Sequence, residues 1–137
     1  MNPDGIIYLL AMASTSGSFE PILTLDDDTL YAGLNQAEIL NIYNQTWYLA
    51  CVVEDTTAVD LVTLHLRSYD GTVNESNTDS SSLAALSNFV GSDSSLYYGG
   101  VKPSTEKYLS GLMVDITYYD TLALSGTDVD NLITFKK

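Results

Sequence analysis

The chain has 137 residues, 45% of them hydrophobic, with 18 acidic against 5 basic side chains and a net charge of −13. That length fits one domain with its own core, and the composition excludes a disordered chain. The acidic balance repels phosphate backbones, so no nucleic-acid partner is expected, and no apolar run is long enough to insert in a membrane.

The first apolar segment, Ile6 to Met12, is hydrophobic on both faces and reads as a central strand. It runs into Ala11-Met12-Ala13, which has the shape of a signal-peptide cleavage site. The residues ahead of it include Asp4 and no Lys or Arg, so the basic n-region of a signal peptide is missing. The segment is expected to belong to the mature fold. Ser14 to Ser18 reads as a turn. Phe19 to Leu25 and Thr29 to Leu34 flank Asp26-Asp27-Asp28, which predicts a hairpin with a loop of about three to five residues. Asn35 to Thr46 is mixed and fits either a helical turn or a short strand.

Trp47 to Val53 alternates as a strand. Trp47, Leu49, Cys51 and Val53 share one face, and Tyr48, Ala50 and Val52 share the other. Trp47 and Leu49 are expected to meet Ile116 in the core. Cys51 is the single cysteine; it excludes an internal disulfide and reads as a buried, inert thiol. Leu61 to Tyr69 follows, with Val62, Leu64 and Leu66 on one face and His65 and Arg67 on the opposite one. Asp70-Gly71 is a hairpin turn signal, with Thr72 to Ser76 as the return strand and Asn77 to Ser82 as a polar loop. Leu96 to Tyr98 is a short strand before Gly99-Gly100 and a loop through Lys102 to Lys107.

Leu112 to Tyr119 alternates again and predicts a half-buried strand. The period then changes. Ser125 stands three residues before Asp128, a capping-box arrangement, and Leu124 and Val129 have hydrophobic-staple spacing. Val129, Leu132 and Ile133 form one apolar stripe. A short capped helix is expected here, lying against a sheet and plugging one end of the core.

The order Gly111-Leu112-Met113, Asp115-Ile116, Tyr119-Asp120, Leu124-Ser125, Asp128-Val129 resembles the closing motif of concanavalin A-like and laminin-G-like jelly rolls. Upstream, Thr46 to Val53 is similar to that family's Trp-His-His-Val-Ala strand. Leu64 to Thr72 is similar to its strand and Asn-Gly hairpin, and Leu96 to Gly100 to its apolar-Gly-Gly strand. Val114 stands where many relatives carry Asp. One extra residue separates Tyr119 from Leu124-Ser125, and the strand or two that usually precede Ile6 are missing. The resemblance implies a compact, all-β, antiparallel two-sheet β-sandwich of jelly-roll type, with one short C-terminal helix, as a single domain over residues 1–137. Its incomplete edge invites a partner or a second copy.

Catalytic chemistry is not expected. The Glu-x-Asp-x-Glu pattern of the superfamily's glucanases is absent, and Asp115 is the only carboxylate interrupting a strand. His65 is the single histidine and no Gly-x-Ser-x-Gly elbow accompanies it, so it reads as a sheet-face imidazole. Laminin-G-like domains often bind calcium through Asp and backbone carbonyls, and Asp26, Asp27 and Asp28 are the densest candidate; a solvated hairpin tip is the favoured explanation, because adjacent residues on a tight loop cannot all converge on one ion. No other cofactor is expected. Among the ten tyrosines, Tyr43, Tyr69, Tyr97 and Tyr98 are candidates for contact with a glycan or a partner, against a core role.

Two functions stay open. The first is a structural protein: a virion decoration, head-fibre or surface-appendage subunit on a capsid or shell protein, or self-associating through an open sheet edge. The second is a carbohydrate-binding lectin or adhesin module, with or without calcium. Both place the chain on a virion or an extracellular surface.

Overall fold

The computed structural model describes residues 7–13, 19–26, 28–33, 36–40, 42, 46–55, 61–80, 95–98, 115–117, 119 and 122–136. These form β1 (Ile7–Ala13), β2 (Phe19–Asp26), β3 (Thr29–Ala32), β4 (Gln36–Ile39), β5 (Tyr48–Asp55), β6 (Leu61–Ser68), β7 (Asn74–Asp79), β8 (Ser95–Tyr98) and α1 (Gly126–Lys136). The strands make two antiparallel sheets, ordered β4-β3-β2-β1-β8 and β5-β6-β7. β1 lies inside its sheet, as its two-faced apolar sequence implies. Asn35 to Thr46 resolves as a strand at Gln36–Ile39. Asp26 extends β2 and pairs with Thr29, so the first hairpin is tighter than predicted. The return strand starts at Asn74 and runs on through Asp79, into what the sequence suggested was loop.

Both sheets face one apolar interior. Leu23 and Leu25 of β2, Leu30 and Ala32 of β3, and Ala37 and Ile39 of β4 form a single cluster with Val62, Leu64 and Leu66 of β6. Fully burying a leucine side chain contributes about 1.5–3 kcal/mol, which makes this row the main source of stability. At one side the sheets approach edge to edge, where Asn77 Nδ2 of β7 donates to the Glu38 carbonyl of β4 at 2.8 Å.

The expected core set is corrected by the register. Ala50 pairs with Leu66 and Val52 with Leu64, so the Tyr48-Ala50-Val52 face of β5 turns inward and packs on the cluster. Leu49 is half-buried on the outer face, opposite Arg67. Trp47 is 49% exposed and Ile116 40% exposed, so the three do not share a core. Alternation separates the two faces of β5 without saying which turns inward; β6, whose Val62-Leu64-Leu66 row is wholly apolar, decides that through the cross-strand register. Asp115, Ile116 and Thr117 are exposed and carry no strand. The rest of the Leu112–Tyr119 segment, Tyr119 apart, lies outside the described residues, as does the Ser14–Ser18 turn.

Two turns show how local chemistry sets the path. Tyr31 pairs with Glu38 and Ala32 with Gln36, which leaves Ala37 as an extra residue on β4. It bulges with φ of 43° while its methyl is buried. In the β6–β7 turn, Gly71 takes φ of 80°. Asp70 Oδ1 accepts from Ser68 Oγ at 2.6 Å, Thr72 N at 3.0 Å and Thr72 Oγ1 at 2.8 Å. These bonds, that from the Ser68 hydroxyl first, pull the Asp70 carboxyl down from 3.8 to about 2.

Two outcomes follow from these turns. Ala37→Val forces a β-branched side chain into the left-handed region and overfills the core. It should destabilise the chain by about 2 kcal/mol or more in urea unfolding, whereas Ala37→Gly should stay within about 1 kcal/mol. The Asp70 pKa is depressed, so the turn's contribution is complete above pH 3.8 and is lost as pH falls through about 2. A carboxyl NMR titration with its midpoint near 2 checks this; a midpoint near 3.8 contradicts it.

Candidate functional site

The densest chemistry lies on the outer face of the three-stranded sheet, beneath α1. Period-two alternation sends Leu64 and Leu66 inward and His65 and Arg67 outward. Antiparallel pairing then sets Cys51 opposite His65 and Leu49 opposite Arg67 on one side, and Ser76 opposite His65 on the other. Neither charge-bearing side chain meets solvent freely: His65 is 6% exposed and Arg67 5%.

Arg67 is the hub. Its Nε donates to Asp130 Oδ1 of α1 at 2.5 Å, a salt bridge whose acidic side is 49% exposed. Its Nη1 donates to the Leu66 carbonyl at 3.0 Å, the Glu75 carbonyl at 2.5 Å and Ser76 Oγ at 3.3 Å. One guanidinium thereby ties β6, β7 and α1 together, a task suited to its planar fork of donors. His65 Nδ1 hydrogen-bonds Ser76 Oγ at 2.7 Å, and the Leu124 backbone lies near the ring. Burial first, and then Arg67, hold the imidazole below its ordinary pKa of 6.5. Burial likewise pushes the Cys51 thiol up to about 11, in keeping with an inert thiol.

The helix reaches this place because its N-terminus is well specified. Ser125 is the cap: Val129 N donates to the Ser125 carbonyl at 3.1 Å, and Asp128 N to Ser125 Oγ at 3.3 Å. Ser125 N returns a bond to Asp128 Oδ2 at 2.8 Å. This is the reciprocal capping box with Asp in place of Glu, and it lowers the Asp128 pKa, through the Ser125 hydroxyl first. Val129 and Ile133 are buried and Leu132 half-buried, so the apolar stripe is real. Those residues lie outside the shared core cluster, however. The helix covers β6 from the outside and does not plug the end of the interior, because Arg67 draws Asp130 to the outer face. Gly126 sits close over the pair: a Cβ there would be 3.4 Å from Arg67 Nη2 and 3.8 Å from His65 Cε1.

The residues singled out for binding are spread out. Asp26 closes β2 half-buried, Asp28 is exposed in the turn with its carbonyl accepting from Ile42 N at 2.6 Å, and Asp27 lies outside the described residues. Among the described residues no group of three His, Cys, Asp or Glu is placed to hold a metal ion. Tyr97 and Tyr98 belong to β8, paired with Ala11 and Leu10, while Tyr69 is half-buried in the β6–β7 turn of the other sheet. Tyr43 lies outside the described residues. An open cleft of about 440 Å³ between β4 and β7 is lined by Glu38, Ile39, Leu40, Glu75, Ser76 and Asn77. No described helix is long and apolar enough to cross a membrane. No family model, curated protein or solved structure matches this chain.

The Arg67–Asp130 link is testable as a cycle. Asp130→Ala leaves a buried guanidinium short of its counter-charge and should cost about 1–3 kcal/mol. The coupling with Arg67→Met should be about 1 kcal/mol, discounted because the Asp130 side is half exposed. Urea unfolding of both single variants and the double variant measures it; strict additivity contradicts the link.

Proposed function

We propose that the chain is a non-catalytic structural or interaction protein on a jelly-roll-type β-sandwich, acting as a virion decoration, head-fibre or surface-appendage subunit. Two antiparallel sheets on one core support the sandwich. The return of the chain from β7 to β8, beside β1, is the kind of long connection that Greek-key folds use. The likeness to concanavalin A-like and laminin-G-like domains rests on the sequence motifs alone.

One observation carries the interaction reading. Ile116, Tyr119 and Leu122, three residues apart, are 40%, 46% and 57% exposed in the segment that leads into α1. Large apolar side chains held in water on one segment mark a contact surface when they sit together. The chain's charge of −13 keeps the free protein soluble and selects against acidic partners. His65, Ser76 and Arg67 fit a structural role, since each is engaged in bonds that hold β6, β7 and α1 together. A capsid or shell protein is the partner class we assign, with contact between sheet edges as a second mode of assembly.

Purification from native particles tests this. The protein should co-purify with a capsid or shell protein, and Ile116→Ser/Tyr119→Ser/Leu122→Ser should weaken that association at least tenfold while leaving the unfolding midpoint within a few degrees. Specific binding on a glycan array, lost with chelator, would replace this reading with a calcium-dependent lectin.

A further inference from the structure

The polar cluster under α1 has a consequence for how firmly the helix is held. Gly126, the first residue of α1, lies over the His65 ring. A helix N-terminus presents unpaired amides and the positive end of the helix dipole. Arg67, two residues along the same face, is a permanent cation that is 5% exposed. A proton added to His65 therefore enters a site with little water, beside one full positive charge and one partial one.

The groups facing His65 come from every element around it. Across β5 stands the Cys51 thiol, neutral because burial raises its pKa to about 11. From β7 comes the uncharged Ser76 hydroxyl, and from the segment ahead of the helix the Leu124 backbone. Asp130 of α1 is the one facing carboxylate, and Arg67 Nε already holds it. The Asp128 carboxylate is turned back onto Ser125. The charge in this set that favours an imidazolium is Asp130, and His65 must share it with Arg67.

We propose that α1 is an acid-releasable clasp: protonation of His65 undocks the helix and bares the outer face of β6 that carries His65 and Arg67. At neutral pH the imidazole is uncharged, bonded to Ser76 and packed beneath Gly126. In acid the docked state must carry a buried cation against Arg67 and the helix N-terminus, whereas the released state solvates it. The sign is set by the depressed docked-state pKa. The stabilising contribution is complete above about pH 6.5 and weakens as pH falls below it, by at most about tenfold per pH unit for one proton.

The test is amide hydrogen exchange of the whole chain between pH 7.5 and 4.5, corrected for intrinsic rates. Protection of residues 126–136 should drop at least tenfold below pH 6.5, while peptides from β2 and β3 keep theirs. His65→Gln, which stays uncharged and retains hydrogen-bonding capacity, should hold its helix protection across the range. Helix protection in the wild-type chain that is flat to pH 4.5, or a His65→Gln profile that falls in parallel with it, overturns the proposal. Should that variant fail to fold, the wild-type chain still decides. An NMR titration of the His65 ring in the docked chain must have its midpoint below 6.5, with the loss of helix protection setting in near 6.5 and levelling off once the ring is protonated; a ring that titrates at 6.5 or above overturns the clasp.

Discussion

Strand β6 is buried on both sides, and the rest of the structure is arranged around that constraint. A strand in a three-stranded antiparallel sheet ordinarily keeps one face in water. Here the inward row Val62-Leu64-Leu66 joins the two sheets, and the outward pair His65 and Arg67 is sealed by a helix. Burying a guanidinium is costly unless its donors are satisfied. The structure meets that cost with the Leu66 and Glu75 carbonyls, Ser76 Oγ and Asp130. Position and identity are thus coupled: the helix must dock where Asp130 can reach Arg67, and β7 must pair where its carbonyls can.

The two faces of β6 do different work. The apolar face is non-directional and would tolerate modest repacking. The polar face is directional, since each bond has a required partner and geometry. It follows that the core sets how much stability the chain has, while the polar face sets which surface α1 covers. A helix with the same apolar stripe and no Asp130 would have lost the charged partner that selects the outer side of β6.

This division bears on the functional reading. The groups that catalytic proteins use, a histidine, a serine and a charged pair, are gathered here in one place and bound to one another. Among the described residues, three of the five exposed large apolar side chains, Ile116, Tyr119 and Leu122, lie in the segment before α1, close in sequence to the element that the polar cluster holds; Leu40 and Trp47 lie elsewhere. On the proposed reading, a contact surface there would couple docking to the state of the helix that Arg67 and Asp130 hold in place. The acidic surface adds a long-range bias against acidic partners that does not depend on fold.

Local signals in the sequence determined the elements: alternation placed most strands within a residue or two, Asp70-Gly71 marked its turn, and Ser125-x-x-Asp128 with Leu124 and Val129 marked the helix start and its stripe. These are interactions between residues close in the chain, so composition and spacing suffice to read them. The separation of His65 and Arg67 from Val62, Leu64 and Leu66 was legible for the same reason. A buried charge on a strand signals that a partner must exist, but not which one. Asp130, 63 residues from Arg67, was identified only by tertiary structure. So was the choice of inward face on β5, where Trp47 and Leu49 looked like core and Ala50 and Val52 took that place. Cross-strand register and helix docking are sums of many weak contacts between distant segments, and no short stretch of the chain contains them.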